Sequence, residues 1–86
     1  MKEFQLTVKD PNGLHARPAG ILVREAQRMP DRVTIHVREK QADLKKLLAV
    51  MGLGIRHGDT VTIRIEGDDE EASLIHLKEA FEKANI

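Results

Sequence analysis

His15 lies in the run Gly13-Leu14-His15-Ala16-Arg17-Pro18-Ala19, between a strand-like and a helix-like stretch. Gly13 can take a positive φ and let the chain reverse sharply. His15 is expected at the N-cap of the helix or just before it. Pro18 is tolerated there, because the first helical turn has no intrahelical use for the N–H that proline lacks. The free N–H groups of Ala16 and Arg17, with the positive helix end, make an anion site. The Arg17 guanidinium adds donors that match phosphate oxygens, and the small Ala16 leaves the approach open. A neutral imidazole is a nucleophile, and this one stands where an anion is welcome. The chemistry that follows is uptake of a phosphoryl group on the ring, held by the N–H groups and Arg17 loosely enough to leave again. A lone histidine before a helix is ordinarily a capping or surface residue. It is the combination of turn glycine, histidine, small residue, arginine and proline that favours transfer.

The flanking elements can be read from periodicity. Phe4, Leu6 and Val8 alternate with polar neighbours, as in a half-buried strand. Asp10-Pro11-Asn12-Gly13 signals a turn. Ala19, Leu22, Val23 and Ala26 recur at helical spacing, predicting a helix from about Ala16 to Arg28, stopped by Met29-Pro30-Asp31. Val33, Ile35 and Val37 give a second strand, and a short third strand is expected near Gln41 to Asp43. Leu44 to Leu53, bounded by Gly52 and Gly54, reads as a short helix. Val61, Ile63 and Ile65 form a last strand, ended by Gly67. Asp68, Asp69, Glu70 and Glu71 then place negative charge where a helix start favours it. Leu74, Leu77, Phe81 and Ala84 mark the buried stripe of that final helix. The order β-α-β-β-α-β-α predicts an α+β fold. It is an open-faced two-layer β-sandwich, a four-stranded antiparallel sheet covered on one face by three helices.

Composition narrows the functions. The chain has 86 residues, expected to form one domain over 1–86. There is no Trp, Tyr or Cys, so the core must come from aliphatic residues and two Phe, and no disulfide framework or thiolate chemistry is available. Fourteen basic residues balance fourteen acidic ones, which argues against a general nucleic-acid binder. No run approaches the ~20 apolar residues that span a bilayer, and Met1 to Val8 has no signal-peptide character. A cytoplasmic protein with no membrane insertion is expected.

The segment Gly13 to Ala19 resembles the active-site signature of the HPr family, the histidine-containing phosphocarriers of the bacterial phosphotransferase system. The stretch Leu44 to Ile55, ending Val50-Met51-Gly52-Leu53-Gly54-Ile55, is similar to that family's second-helix region. The resemblance implies that Enzyme I, charged by phosphoenolpyruvate, phosphorylates His15 on Nδ1. The group then passes to a sugar-specific IIA domain. Arg17 would stabilise the phosphoryl group, and no cofactor is implied. The chain would be a carrier with a transient phosphohistidine rather than a free-standing enzyme, and it is expected to act as a monomer. A regulatory paralogue of the nitrogen-related phosphotransferase branch is the alternative, since the same His15 chemistry serves both.

The resemblance also favours Leu47, Leu48 and Met51 as partner contacts, with Gly20 across from them and Arg17, Arg24 and Lys46 as a basic rim that steers acidic partners. In many members a serine stands where this chain has Lys46, and a dedicated kinase phosphorylates it. Lys46 has no hydroxyl, so that regulatory site is expected to be absent. Gly52 also replaces a hydroxyl residue common in the family. The only serine, Ser73, falls in the last predicted helix. His36 is expected to face solvent from its strand, His57 to sit in a turn and His76 to lie off the apolar stripe of the last helix. None has a metal-ligand spacing, so no metal site is expected.

Overall fold

A computed structural model describes residues 1–86. The elements are β1 (Lys2–Thr7), α1 (Ala16–Gln27), β2 (Arg32–Val37), β3 (Lys40–Asp43), α2 (Leu47–Met51), β4 (Thr60–Glu66) and α3 (Glu70–Lys83). The strands form one antiparallel sheet in the order β1-β4-β2-β3, so β4 fills the place between β1 and β2. Alternation decides which face is dry. Phe4 and Ile35 both register with Ile63, while Val33 pairs with Ile65 and Val37 with Val61. This row of side chains is buried under α1 and α3. From α1 come Ala19, Leu22, Val23 and Ala26, and from α3 Leu77, Ala80 and Phe81. Phe4 and Phe81, the only phenylalanines in a chain without Trp or Tyr, meet edge to face with ring centroids 5.9 Å apart, the arrangement aromatic quadrupoles prefer. The other face of the sheet stays polar. There Gln5 Nε2 donates to Thr62 Oγ1, and His36 Nε2 bonds Thr34 Oγ1 at 2.9 Å. His36 thus lies on the open face as expected, though half-buried among its neighbours.

Two expectations need correction. The second helix is shorter than Leu44 to Leu53 and covers only Leu47–Met51. Asp43 is the reason: its Oδ1 accepts the Lys45 N–H at 2.9 Å and its carbonyl the Lys46 N–H at 3.1 Å, folding the chain into a turn. Leu44 lies in this turn, tied back to β2 by its N–H on the Val33 carbonyl at 3.0 Å and with its side chain fully buried. Leu53 likewise follows the helix in a turn, its N–H on the Val50 carbonyl.

The stripe of α3 is also shifted. Ser73, Leu77, Ala80 and Phe81 are buried, whereas Leu74 and Ala84 only pack against the core from its margin. Ser73 is drawn inward by Asp31, a carboxylate only 2% exposed. Ser73 Oγ donates to Asp31 Oδ2 at 2.7 Å, and the Asp69 N–H donates to Oδ1 at 3.1 Å. A buried carboxylate must be met by donors in this way. Ser73→Ala leaves Asp31 one donor short and should cost about 1–3 kcal/mol. Urea unfolding should show a lower midpoint at an unchanged m value, and an unaltered midpoint would contradict this role.

Candidate functional site

The loop between β1 and α1 is pinned from several sides. The Val8 N–H bonds the Asp59 carbonyl at 2.8 Å, and the Gly58 N–H bonds the Val8 carbonyl at 2.8 Å. The N–H groups of Lys9 and Asp10 donate to the main-chain oxygen of Ile86 at 2.5 and 3.2 Å. The Gly13 N–H on the Asp10 carbonyl, at 2.9 Å, closes the expected turn. Gly13 has φ +68°, and a Cβ there would lie 2.4 Å from the Ile55 carbonyl oxygen and 2.8 Å from Arg56 Cα. Next to it, Leu14 is buried and its N–H bonds that same Ile55 oxygen at 3.1 Å.

His15 follows as the N-cap of α1, with extended φ −90° and ψ −179°. Its carbonyl accepts the first helical bond, from the Ala19 N–H at 3.0 Å, but its ring caps nothing. The side chain is 40% exposed, and its one polar neighbour is Asp10, whose Oδ2 lies 3.3 Å from Nε2. Nδ1 has no hydrogen-bond partner in the chain. The N–H groups of Ala16 and Arg17 precede the first possible intrahelical bond and meet no capping side chain, and no acidic residue stands in this first turn. Arg17 is exposed and engaged in no ion pair. A ring nitrogen without a hydrogen-bond partner, two unspent N–H donors and an unpaired guanidinium therefore share one helix end. Such a group can accept an anionic electrophile and hold its oxygens.

The expected docking residues differ in exposure. Leu48 is 87% and Leu47 38% exposed, large values for leucine. Gly20 is open above its Cα, with nothing within 4 Å of where a Cβ would stand. Met51, by contrast, is half-buried and packs on the core, because its neighbour Val50 anchors the short helix inward. Arg24 and Lys46 are exposed, and like Arg17 neither is ion-paired. Lys46 is the N-cap of α2. His57 is exposed in its turn, and His76 reaches across from α3 to Glu25 of α1.

Sequence reasoning took Asp10 for a turn residue and missed its contact with His15. The available signal was an acidic residue just before a chain reversal that returns the backbone toward His15. The Ile55–Asp59 segment gave no such signal, being distant in the chain.

Several carboxyl groups are held below their usual range. Asp10 is lowered by the Asn12 backbone N–H and then by His15, and Asp59 by the Arg56 backbone N–H and then Arg38. Glu25 is lowered by its bond to His76, and Glu70 by the Gly67 N–H. His36 is lowered too, by burial and then by Arg64. All five shifts act in one sense. The unfolded chain binds more protons than the folded one, so stability rises with pH through each window. The His36 contribution is complete above about pH 6.5 and is lost as pH falls below it. The carboxylate contributions are present above about pH 4 to 4.5 and are lost on further acidification. Urea midpoints measured from pH 7 to pH 3 should therefore fall steadily. A midpoint that rises toward pH 3 would contradict these assignments.

Residues 2–83 match the family model described as PTS-HPr, PTS HPr component phosphorylation site. The phosphocarrier protein HPr of Mycoplasma genitalium is 40% identical over 87 residues, spanning 100% of this chain and 99% of that protein. The HPr of Lysinibacillus sphaericus is 45% identical over 74 residues, covering 86% of this chain and 84% of its own. Among solved structures, a Mycoplasma histidine-containing phosphocarrier superposes with a TM-score of 0.94 at 35% identity, covering 99% of this chain and 98% of that one.

Proposed function

Since the chain belongs to the HPr family of phosphotransferase-system phosphocarriers, we propose that His15 is the residue that takes up and passes on the phosphoryl group. The relatives support the sugar-uptake reading, not the nitrogen-related alternative. The observation that carries the residue assignment is the free Nδ1 of a half-exposed ring beside the two unspent N–H donors of Ala16 and Arg17. The Nδ1 lone pair attacks phosphorus, the N–P bond forms, and the donor's bond to phosphorus breaks with its electron pair leaving on the donor. The Ala16 and Arg17 N–H groups and the Arg17 guanidinium then meet the phosphoryl oxygens. Because the site stays exposed, an acceptor nucleophile can attack from outside and return the electron pair to Nδ1.

The donor in this reading is Enzyme I and the acceptor a IIA domain. Both dock on Gly20, Arg24, Leu47, Leu48 and the exposed part of Met51. An apolar patch of this modest size suits short-lived encounters, and the unpaired cations around it raise their rate. Lys46 offers no hydroxyl, so control by phosphorylation there is lost. Residues 1–86 work as one domain, as a monomer, in the cytoplasm where the phosphoenolpyruvate-charged donor resides. The test is incubation with Enzyme I, phosphoenolpyruvate and Mg²⁺, the metal being for Enzyme I, followed by mapping of the phosphate. One acid-labile phosphate on His15 is expected, and transfer onward to a IIA domain. Labelling at any other residue, with His15 unmodified, would overturn the assignment.

A further inference from the structure

We propose that Asp10 is a positioning residue for this transfer: its carboxylate fixes the His15 ring as the Nε2–H tautomer and so presents the Nδ1 lone pair to phosphorus. The inference rests on His15 being the acceptor and adds what orients it. Asp10 is itself immobilised. Its N–H reaches the Ile86 oxygen, its carbonyl takes the Gly13 N–H, and its Oδ1 takes the Asn12 N–H at 2.8 Å. That leaves Oδ2, which faces His15 Nε2 at 3.3 Å. A carboxylate accepts hydrogen bonds and donates none. The ring nitrogen facing it must therefore carry the hydrogen, and in a neutral imidazole the lone pair then sits on Nδ1.

The same contact serves both directions of transfer. When Nδ1 bonds phosphorus the ring becomes cationic, its Nε2 proton stays in place, and the Asp10 carboxylate offsets the new charge. When an acceptor attacks, the N–P electron pair returns to Nδ1 and leaves a neutral ring, again with Nε2–H against Asp10. No proton has to move in either step.

The two oxygens of Asp10 have separate tasks, which makes Asp10→Asn the discriminating variant. Asparagine supports the same turn as aspartate, so a purely structural Asp10 would tolerate it. An amide has only one acceptor oxygen. With that oxygen on the Asn12 N–H, the NH₂ group faces His15 and favours a lone pair on Nε2, hence hydrogen on Nδ1. Long-range ¹H–¹⁵N spectra of the unphosphorylated protein should show wild-type His15 as Nε2–H and a shift toward Nδ1–H in Asp10→Asn. Initial phosphate uptake from phosphorylated Enzyme I should fall about tenfold in Asp10→Asn, the scale of one charged hydrogen bond. Asp10→Ala, which leaves the ring free to choose, should lose less. Asp10→Asn within twofold of wild type, with the ring still Nε2–H, would overturn the proposal. Failure of wild type to take phosphate on His15 would instead overturn the acceptor assignment, while the ring spectra, recorded without phosphate, still decide the tautomer.

Discussion

His15→Ala is expected to abolish phosphate uptake from phosphorylated Enzyme I, whereas Arg17→Ala should slow it by about ten- to a hundredfold and leave it measurable. The difference follows from their tasks. Without the imidazole no N–P bond can form, and no other histidine stands at a helix start with free N–H groups: His36 is in a strand, His57 in a turn and His76 within α3. Without the Arg17 guanidinium the nucleophile remains, and the loss is that of a charge-assisted hydrogen bond, about 1.5–3 kcal/mol. Acid-labile phosphate, measured with time, separates the two. His15→Ala should unfold within about 0.5 kcal/mol of wild type, as surface substitutions do, because the ring is half-exposed and its one hydrogen bond is long. Residual labelling of His15→Ala at the wild-type level would refute the acceptor role directly.

Gly13→Ala should be the most damaging substitution of the loop for stability, by about 3 kcal/mol. Two independent costs combine. At φ +68° an L side chain is strained, a cost of about 1–3 kcal/mol. The new Cβ would also lie 2.4 Å from the Ile55 carbonyl oxygen, and that obstacle is main chain rather than a flexible side chain. Relief requires the Ile55–Arg56 backbone to move, which weakens the Leu14 to Ile55 hydrogen bond and lets the start of α1 shift. Urea unfolding should show the loss, and phosphate uptake should fall even at temperatures where the variant stays folded. A glycine without either problem is the control. Gly20 lies inside α1 with open space over it, so Gly20→Ala should gain up to about 1 kcal/mol. Equal stability of Gly13→Ala and wild type would mean that the loop is not held as described.

Much of the fold was legible because its signals are local. The alternation of Val33, Ile35 and Val37, and of Val61, Ile63 and Ile65, predicted strands that the sheet contains in register. The helical spacing of Ala19, Leu22, Val23 and Ala26 predicted the buried face of α1, to which Pro18 also belongs. What failed depended on contacts between distant segments. Leu44 is apolar and looks helical in sequence, but a carboxylate turn at Asp43 and a bond to Val33 hold it in the turn after β3. Ser73 is polar and looks exposed, but the buried Asp31 on the far side of the chain draws it in. At the candidate site, His15, Ala16 and Arg17 could be read because a helix start arranges them by itself. Asp10 could not, since its second oxygen acquires meaning only after the turn has closed.

The hydrogen bonds that pin the His15 loop reach to residues 55–59 and to Ile86. A chain still emerging from the ribosome therefore carries the histidine long before it carries the site. Until the distal half has folded, Gly13 has no wall to lie against and Asp10 lacks its anchor. The loop would then lack the contacts that hold the ring in place. Support of the histidine loop is thus shared with segments distant in sequence rather than supplied by its own residues alone.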